Sequence, residues 1–497
     1  MTPLPPLSRR DGRLLRLLID LQRSLRKAAS SLLSLNGYLL CSSCLPSAFW
    51  LITLLIVVYA DFVHSTFFIF ATWWWPKYYY IFLPFITITV ALNVIMVLSI
   101  IFHVIFRKIK PEERFIPETP ESMVMLLPCY NETREELIKS LDSLVGQIGI
   151  ENNQKVIMII CDGKARGPGM EKSCGEYLLE DILLRPATRE YITDAYSSWD
   201  HTPMDAVVQT GTYGGIPYVC IVKEANRGKR DSLILIRSFL YNFNIRDTRP
   251  AVIMSEYLFL LLSGFLLSAG ITNVDLLIGM DADTFFEPAC VSELIKQSHY
   301  KHTIGVCGYV AVDFGDGSWS PWRLYQNAEY TISQCLRRLH QSLVTHKVSC
   351  LPGCCQLLKV CETTCGDKIL LDLFGYHPTA TDHLLKQIRA TASEDRNHVC
   401  LMLSAFPKAR TRQAINARAY TDVPRSWSVF LSQRRRWTLG ASSNDLLLVF
   451  APGIILFERI LAFANVITWV LNLFIIACIA SFIKACTCKL PSKRFKD

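Results

Sequence analysis

Two long apolar runs near the start of the chain constrain its fold more than any other feature. Residues 47–70 and residues 79–106 are each long enough to cross a bilayer, which takes about 20 residues of helix. The loop between them is rich in tryptophan and tyrosine, which favour the membrane interface. Because 51% of the 497 residues are hydrophobic, part of this surface is expected to face lipid. The runs predict a transmembrane hairpin at residues 47–106.

Basic residues set the expected orientation of this hairpin. Arginines precede it in the arm of residues 1–46 and basic residues follow it at 107–110, whereas its loop contains only Lys77. Both ends are therefore predicted to be cytosolic. The arm is either an interfacial helix or a solvated segment. The net charge of +9 suits anionic membranes, polyphosphate substrates and nucleic acid equally, so charge does not choose among them.

The pattern changes between residues 107 and 445, where short apolar runs alternate with polar segments. Predicted buried strands lie at residues 123–127, 156–161, 218–222, 274–279 and 304–310. This alternation predicts an α/β domain with a largely parallel sheet. Residues 256–269 are predicted to form a helix buried in that domain, and residues 163–215 an irregular peripheral insertion.

The C-terminal region returns to membrane character. Residues 446–458 are too short to cross and predict an interfacial helix, whereas residues 459–485 predict a transmembrane helix followed by a basic tail, residues 486–497. Three spans place the tail outside, but its basic residues favour the cytosol, so its topology stays open. The 18 cysteines lack the paired spacing of a zinc site and are interpreted as reduced thiols.

Polar residues follow four of the predicted strands. Tyr130 and Glu132 follow the first, Asp162 the second, a basic turn beginning at Lys223 the third, and Asp281 the fourth. Ligands of open α/β sheets bind outside the carboxyl ends of the strands. Four polar strand ends therefore predict a nucleotide site.

Asp281 and Asp283 are two residues apart at a strand end. On an extended backbone they share one face, so both carboxylates can address one ligand. A hard divalent cation that bridges diphosphate oxygens is the natural partner. Aspartate pairs with this spacing are common on protein surfaces. The position of this pair directly after an apolar strand is what favours a functional site.

Two further motifs have both structural and functional interpretations. The turn that contains Lys229 is by itself a solvated basic loop, and the acidic pair Glu394 and Asp395 either caps a helix or supplies a general base. In residues 433–437, helical spacing places Gln433 and Arg436 on one face beside Trp437. A guanidinium suits phosphate oxygens and an indole suits a sugar ring, whereas arginine runs alone more often anchor a protein at a membrane.

The order of these motifs resembles that of chitin synthases, membrane-bound inverting glycosyltransferases of family 2 with a GT-A-type, Rossmann-like α/β fold. The matching segments are 161–163, 228–232, 281–283, 305–308, 326–330, 351–354, 394–396 and 433–437, and together they cover residues 123–445. The resemblance implies a role for each of the following residues: Tyr130, Glu132 and Asp162 at uridine, Lys229 near the nucleotide, Asp281 with the diphosphate, Asp283 as ligand of Mg²⁺ or Mn²⁺, Gln433 and Arg436 on the pyrophosphate, Asp395 as the base, and Trp437, Glu329, Leu351, Pro352, Gly353 and Cys354 at the acceptor.

The function implied by this resemblance is processive transfer of N-acetylglucosamine from its UDP-activated form to the 4-hydroxyl of a β-1,4-linked chitin chain, with inversion. The expected partners are UDP-N-acetylglucosamine, a chitin oligosaccharide and the lipid bilayer, with homo-oligomers possible and no nucleic acid. A multi-pass protein of the plasma membrane with a cytosolic catalytic domain is expected. The alternatives are hyaluronan-type synthesis, sugar transfer to a lipid, a catalytically silent scaffold, and a transporter. The last is disfavoured because the charged residues do not lie in the spans.

Overall fold

The computed structural model describes residues 91, 94–106, 112–167, 169–246, 253–315 and 320–467. The chain divides into two units, residues 1–94 and 95–497, and nearly all described residues belong to the second. Of the predicted membrane segments, residues 94–106 and 456–467 are helical, and the remainder lies outside the described residues, apart from residue 91. Within these ranges no helix combines the length and apolar character needed to cross a bilayer.

A ten-stranded mixed sheet organises the second unit. The strands, in chain order, are β1 (Met123–Cys129), β2 (Lys155–Cys161), β3 (Pro186–Ser197), β4 (Pro203–Tyr213), β5 (Ile216–Lys223), β6 (Leu276–Gly279), β7 (Thr284–Phe286), β8 (Thr303–Val312), β9 (Gln356–Lys359) and β10 (Arg410–Thr421). Their order across the sheet is β3-β4-β5-β2-β1-β6-β9-β8-β10-β7. All five predicted strands are present, and the predicted α/β class is confirmed.

Helices pack against this sheet and connect its strands. They are α1 (Arg134–Val145), α2 (Cys174–Glu176), α3 (Lys229–Ile245), α4 (Glu256–Ser268), α5 (Cys290–Ser298), α6 (Pro321–Ala328), α7 (Arg337–Val344), α8 (Glu362–Cys365), α9 (Leu384–Thr391), α10 (Glu394–Ala405) and α11 (Trp427–Phe450). Among the described residues, π-helical stretches occur at Tyr177–Ile182, Glu329–Leu336 and Lys368–Phe374.

The expectation of a largely parallel sheet is wrong. β1 pairs in parallel with β2 and β6, β2 with β5, and β8 with β10, whereas the other neighbours are antiparallel. The parallel centre is buried on both faces: Val124 and Leu126 lie in one core cluster, and Met125 and Leu127 lie in the other. Burial on both faces explains why these strands are unbroken apolar runs.

The expected irregular insertion contains ordered strands. β3 and β4 form a long antiparallel hairpin, with Tyr191 opposite Val207, and β4 continues the sheet onto β5. The alternation of β-branched and aromatic residues with polar ones in Pro186–Ser197 is the strand signal, because one face of the hairpin is exposed.

Two helix predictions need adjustment. The helix predicted at residues 256–269 forms as α4, but only its Leu258 face is buried, and Leu260 on another face is 57% exposed. Residues 446–458 do not form one helix: α11 extends to Phe450, and a new helix occupies 456–467. Pro452 and Gly453 lie at this break.

Candidate active site

The parallel strands deliver the predicted polar residues to one edge of the sheet. Cys129 of β1 is in register with Cys161 of β2, which is in register with Val222 of β5. The chain leaves β1 at Tyr130 and β2 at Asp162, and the Asp281 motif follows β6 on the other side of β1. The predicted meeting of these strand ends is confirmed.

A buried ion triad lies beneath this edge. The Lys223 ammonium is 2.6 Å from Asp162 and 2.9 Å from Asp231, and its side chain is fully inaccessible. Further donors complete the triad: the Arg227 amide bonds to Asp162, and the Tyr196 hydroxyl bonds to Asp231. Each buried charged group therefore has hydrogen-bonding partners, as burial requires, although one ammonium serves two carboxylates. Asp162, predicted to contact uridine, is held inside this network.

A second cluster of charges lies open at the same edge. The Lys229 ammonium is 2.6 Å from Asp281 and 4.0 Å from Glu394. All three side chains retain about a quarter to a third of their accessible surface. Although burial opposes it, Asp281, Asp395 and Glu394 raise the pKa of Lys229 well above its ordinary value. Lys229 is thus a cation facing a surplus of carboxylates.

Asp395 lies in the first turn of α10, next to this open cluster. Its Oδ2 accepts the Gly353 amide at 2.8 Å, and its Oδ1 has no hydrogen-bond partner among the described residues. Burial raises the pKa of Asp395 to about 6, with Glu394 and Asp281 adding to the effect against Lys229 and the amide. A carboxylate with a raised pKa and a free oxygen is suited to accept a proton near neutral pH.

Glu394, the neighbouring carboxylate, differs from Asp395. Burial opposes its ionisation, but Lys229, the amide of its own helix start, Arg230 and Arg436 together lower its pKa. The pKa values of these two adjacent acids are therefore shifted in opposite directions. Active sites often assign acid and base roles to paired groups in this way. The lowered pKa of Glu394 and the raised pKa of Asp395 favour Asp395 as the candidate base.

Gly353 keeps Lys229 and Asp395 close together. A Cβ at this position would lie 2.6 Å from the Lys229 ammonium and 3.0 Å from each Asp395 carboxylate oxygen. The neighbours Leu351 and Gly353 are buried, while Pro352 and Cys354 are half-buried. The segment predicted at the acceptor therefore lies directly against the predicted base, and a side chain at its centre would displace Lys229 or Asp395.

Asp283 is the exposed member of the motif that follows β6. Although the residue is exposed by surface area, desolvation of its carboxylate by nearby protein, with Asp281 and Glu132 adding like charge, raises its pKa to about 7. Beside it opens a cavity of about 330 Å³ whose walls include Lys139, Asp313, Arg323, Asp422 and Arg425. Crowded carboxylates fit a hard divalent cation, which would neutralise them.

The residues after β1 form a compact turn before α1. The Tyr130 amide donates to Glu132 Oε2 at 2.6 Å, and the Tyr130 side chain is 41% exposed. Thr133 then caps α1 through a reciprocal pair of bonds with Glu136. The turn thus presents an exposed aromatic residue at the sheet edge and holds the Glu132 carboxylate through a backbone amide.

Residues 433–437 lie in the first half of α11, as the spacing predicts. Gln433 accepts a bond from Arg434, whereas Arg436 is exposed and lowers the pKa of Glu394 only after Lys229 and Arg230. Arg434 binds Glu329 at 2.6 Å and lies 4.3 Å over the Trp437 ring. The structure therefore brings Glu329 and Trp437 together through Arg434, a link that the sequence analysis missed because it joins segments 105 residues apart.

A tight helix contact was also missed. A Cβ at Gly440 of α11 would lie 2.1 Å from the Cβ of Ser393, which precedes α10 with a positive φ of 61°. Five residues further along α11, the buried Asp445 binds Arg337 at 3.1 Å and Arg396 at 3.6 Å. These contacts fix α11 against the start of α10 and so position Asp395. Glycine in a helix interior was the available signal.

The fold and this edge define a class of protein before any comparison. A parallel sheet centre, polar strand ends, an Asp-x-Asp motif and a carboxylate with raised pKa are typical of nucleotide-dependent group-transfer enzymes. Comparison with known families makes the class specific. The family model described as chitin synthase matches residues 97–198 and 188–493. The chain belongs to the chitin synthase family, whose GT-A-type fold agrees with the mixed α/β sheet.

Two fungal relatives are similar along most of this chain. Chitin synthase 8 of Gibberella zeae is 45% identical over 415 residues, which cover 82% of this chain and 62% of the relative. Chitin synthase 8 of Verticillium dahliae is 41% identical over 442 residues, which cover 84% of this chain and 72% of the relative. Among solved structures, the mannosyltransferase PcManGT from Pyrobaculum calidifontis, in complex with GDP-Man and Mn²⁺, overlaps 81% of this chain and 87% of its own at 12% identity and a TM-score of 0.43.

Proposed function

We propose that this chain transfers N-acetylglucosamine from UDP-N-acetylglucosamine to the 4-hydroxyl of a growing β-1,4-linked chitin chain, processively and with inversion. Family membership supports the product class. The observation that carries the proposal is the Asp395 carboxylate, which has a raised pKa and one free oxygen and lies beside Asp281 and Lys229. An inverting transferase needs one such base opposite the departing nucleotide.

The reaction is a single displacement in which Asp395 handles the proton. Its Oδ1 accepts the proton of the acceptor 4-hydroxyl as that oxygen forms a bond to C1 of the donor sugar. The bond from C1 to the diphosphate breaks on the opposite face, so the α-linked donor becomes a β-linked product. The Gly353 amide holds the other carboxylate oxygen and thereby fixes the orientation of the carboxylate, leaving Oδ1 for the acceptor in this proposal.

Charge on the departing UDP is met by the cationic side of the cleft. Asp281 and Asp283 would hold Mg²⁺ or Mn²⁺, which supplies charge neutralisation at the diphosphate when bound. Lys229, already a cation beside Asp281, lies where it can reach the same oxygens, and the exposed Arg436 with Gln433 supplies a charge-assisted clamp. Tyr130 and Glu132 at the neighbouring strand ends hold uridine in this proposal, and the buried Asp162 supports that edge through the Lys223 network.

The acceptor lies against the surface that contains Trp437 and residues 351–354. Trp437 packs edge-on against Tyr330 at 5.7 Å between ring centres, and the Arg434 guanidinium lies 4.3 Å from the centre of its ring and binds Glu329. An indole held in this way is a rigid platform for a sugar ring. We further propose that the predicted hairpin and C-terminal span place this domain at the cytosolic face of the plasma membrane, where nucleotide sugars are available.

Product analysis tests this proposal. Membranes that contain the protein are incubated with radiolabelled UDP-N-acetylglucosamine with Mg²⁺ or with excess EDTA, and the insoluble product is treated with chitinase. We expect a metal-dependent product that chitinase releases and that membranes carrying Asp395→Asn do not form. A product that requires UDP-glucuronic acid, a label found only in lipid, or the absence of transfer from membranes with folded protein would each contradict it.

A further inference from the structure

Three buried thiols and one carboxylate meet behind the carboxyl ends of β1 and β2. Cys129 ends β1, Cys161 lies beside it at the end of β2, and Cys174 begins α2. The Cys174 sulfur is 3.7 Å from Glu132 Oε2, and the Cys129 and Cys161 thiols are near enough to affect its pKa. The ligand atoms of Cys129, Glu132 and Cys174 all lie within 4.8 Å of one another.

We propose that Cys129, Cys174 and Glu132 form a binding site for a borderline-soft divalent cation, zinc above all, with Cys161 adjacent. Zinc bonds of about 2.0–2.3 Å in a tetrahedral set place ligand atoms about 3.5 Å apart, so shifts of about 1 Å assemble the site. Thiolate ligands select zinc or cadmium, whereas the all-oxygen pair Asp281 and Asp283 suits Mg²⁺ or Mn²⁺. The molecule thus has two cation sites of different chemistry at one sheet edge.

Metal binding would attach a peripheral segment to the nucleotide edge. Cys174 belongs to the connection between β2 and the β3–β4 hairpin, while Cys129 and Glu132 flank the turn of Tyr130. A cation that joins them fixes the start of the insertion to the strand ends. Such a link across sequence-distant segments is how structural zinc contributes to stability.

The site also competes with a hydrogen bond that shapes the turn. Glu132 Oε2, the oxygen nearest Cys174, accepts the Tyr130 amide at 2.6 Å. Coordination through that oxygen weakens this bond and displaces Glu132 from the donor side. Metal loading is therefore inhibitory for UDP binding, a consequence that rests on the proposed function, whereas the existence of the site does not.

Cadmium reports on this site directly, because thiolate coordination gives an ultraviolet charge-transfer band that oxygen ligands do not. The full-length protein is stripped with chelator, kept reduced, supplied with excess Mg²⁺ and titrated with Cd²⁺ in the absence of donor and acceptor. We expect one tight equivalent with a thiolate band, which Zn²⁺ then displaces. Cys174→Ala should lose that equivalent, and Glu132→Gln should lower its affinity by at least about tenfold while keeping the thiols in place.

Cys220→Ala is the matched control. Cys220 is equally buried and lies next to Cys161, but it is outside the ligand set, so its band should be that of the unaltered protein. The proposal is overturned by a tight thiolate band that Cys174→Ala leaves unchanged, by the lack of any tight band, or by a Cys129–Cys174 disulfide that forms on mild oxidation without measurable metal binding. Because no sugar donor is present, these outcomes are independent of chitin synthesis.

Discussion

Lys223 and Lys229 are six residues apart in one basic turn, yet they occupy opposite kinds of site. Lys223 is fully inaccessible, and its partners Asp162 and Asp231 are 6% and 2% exposed. Lys229 retains 27% of its surface, and its partners Asp281 and Glu394 are similarly open. Each network pairs one ammonium with two carboxylates, but the first is closed to solvent and the second is open. Burial, more than residue type, distinguishes the structural cluster from the functional one.

The largest effect is expected from breaking the closed network. Lys223→Ala leaves two buried carboxylates without their cation, which typically costs about 3–5 kcal/mol of folding free energy. We expect a large fall in the thermal unfolding midpoint and weak expression. Combining it with Asp231→Asn should recover part of the loss, because one of the stranded charges is removed. A Lys223→Ala protein as stable as the unaltered one would place Lys223 outside the structural core.

Lys229→Ala should separate function from folding. Its carboxylate partners reach solvent, so the unfolding midpoint should change little, whereas UDP binding and turnover should fall by about ten- to hundredfold, the worth of a charge-assisted contact. The measurements are UDP titration and rate of polymer formation, with Lys223→Ala as the matched comparison. Equal destabilisation by the two lysine changes would remove the distinction between the clusters.

Gly353→Ala tests the packing around the open cluster. The added methyl would lie 2.6 Å from the Lys229 ammonium and must displace it or Asp395, at a cost of about 1–3 kcal/mol. We expect turnover to fall more than stability. Gly264→Ala in α4, where no atom lies within 4 Å of the new Cβ, is the control and should be neutral or stabilising. If both variants retain full turnover, residues 351–354 do not position the base.

The smallest effect is expected from lowering the pH. Turnover and folding stability should respond to this change in opposite directions. Because the pKa of Asp395 is raised to about 6 and the base acts deprotonated, turnover should fall about tenfold per pH unit below 6. The same shift means that the folded protein binds this proton more tightly than the unfolded chain, so this group stabilises the fold as pH falls through 6. Loss of activity at pH 5 with an unchanged circular dichroism spectrum would agree with Asp395 as the base. A turnover rate that stays constant down to pH 5 would contradict that assignment.

The sequence predicts the parallel half of this fold better than the rest, for a physical reason. Strands such as β1 are buried on both faces and appear as continuous apolar runs, so their polar ends were recognisable. β9 has only four residues, and its antiparallel orientation is set by pairing with β6. No local sequence pattern encodes that pairing.

The site shows the same limit. Asp395, Asp281 and Lys229 were identifiable from motif order, and the structure brings them together. The burial of Asp162 beside Lys223 could not be predicted from the sequence. Buried and exposed lysines occur in the same basic turn, and the sequence does not distinguish them. The cluster of Cys129, Glu132 and Cys174 was also missed, since its ligands come from separate segments and lack the paired spacing of zinc motifs.

The most direct test of the account compares Asp395→Asn with Arg436→Ala in two assays, UDP affinity and turnover. Asparagine keeps the shape of Asp395 and the bond to the Gly353 amide but cannot take up the acceptor proton. UDP affinity should therefore change little while turnover falls by about 10² or more, the contribution of a general base. Arg436→Ala should weaken both, because a charge-assisted contact to the diphosphate is lost. If Asp395→Asn polymerised at near the unaltered rate, the central claim would be wrong, and Glu394 would be the next candidate for the base.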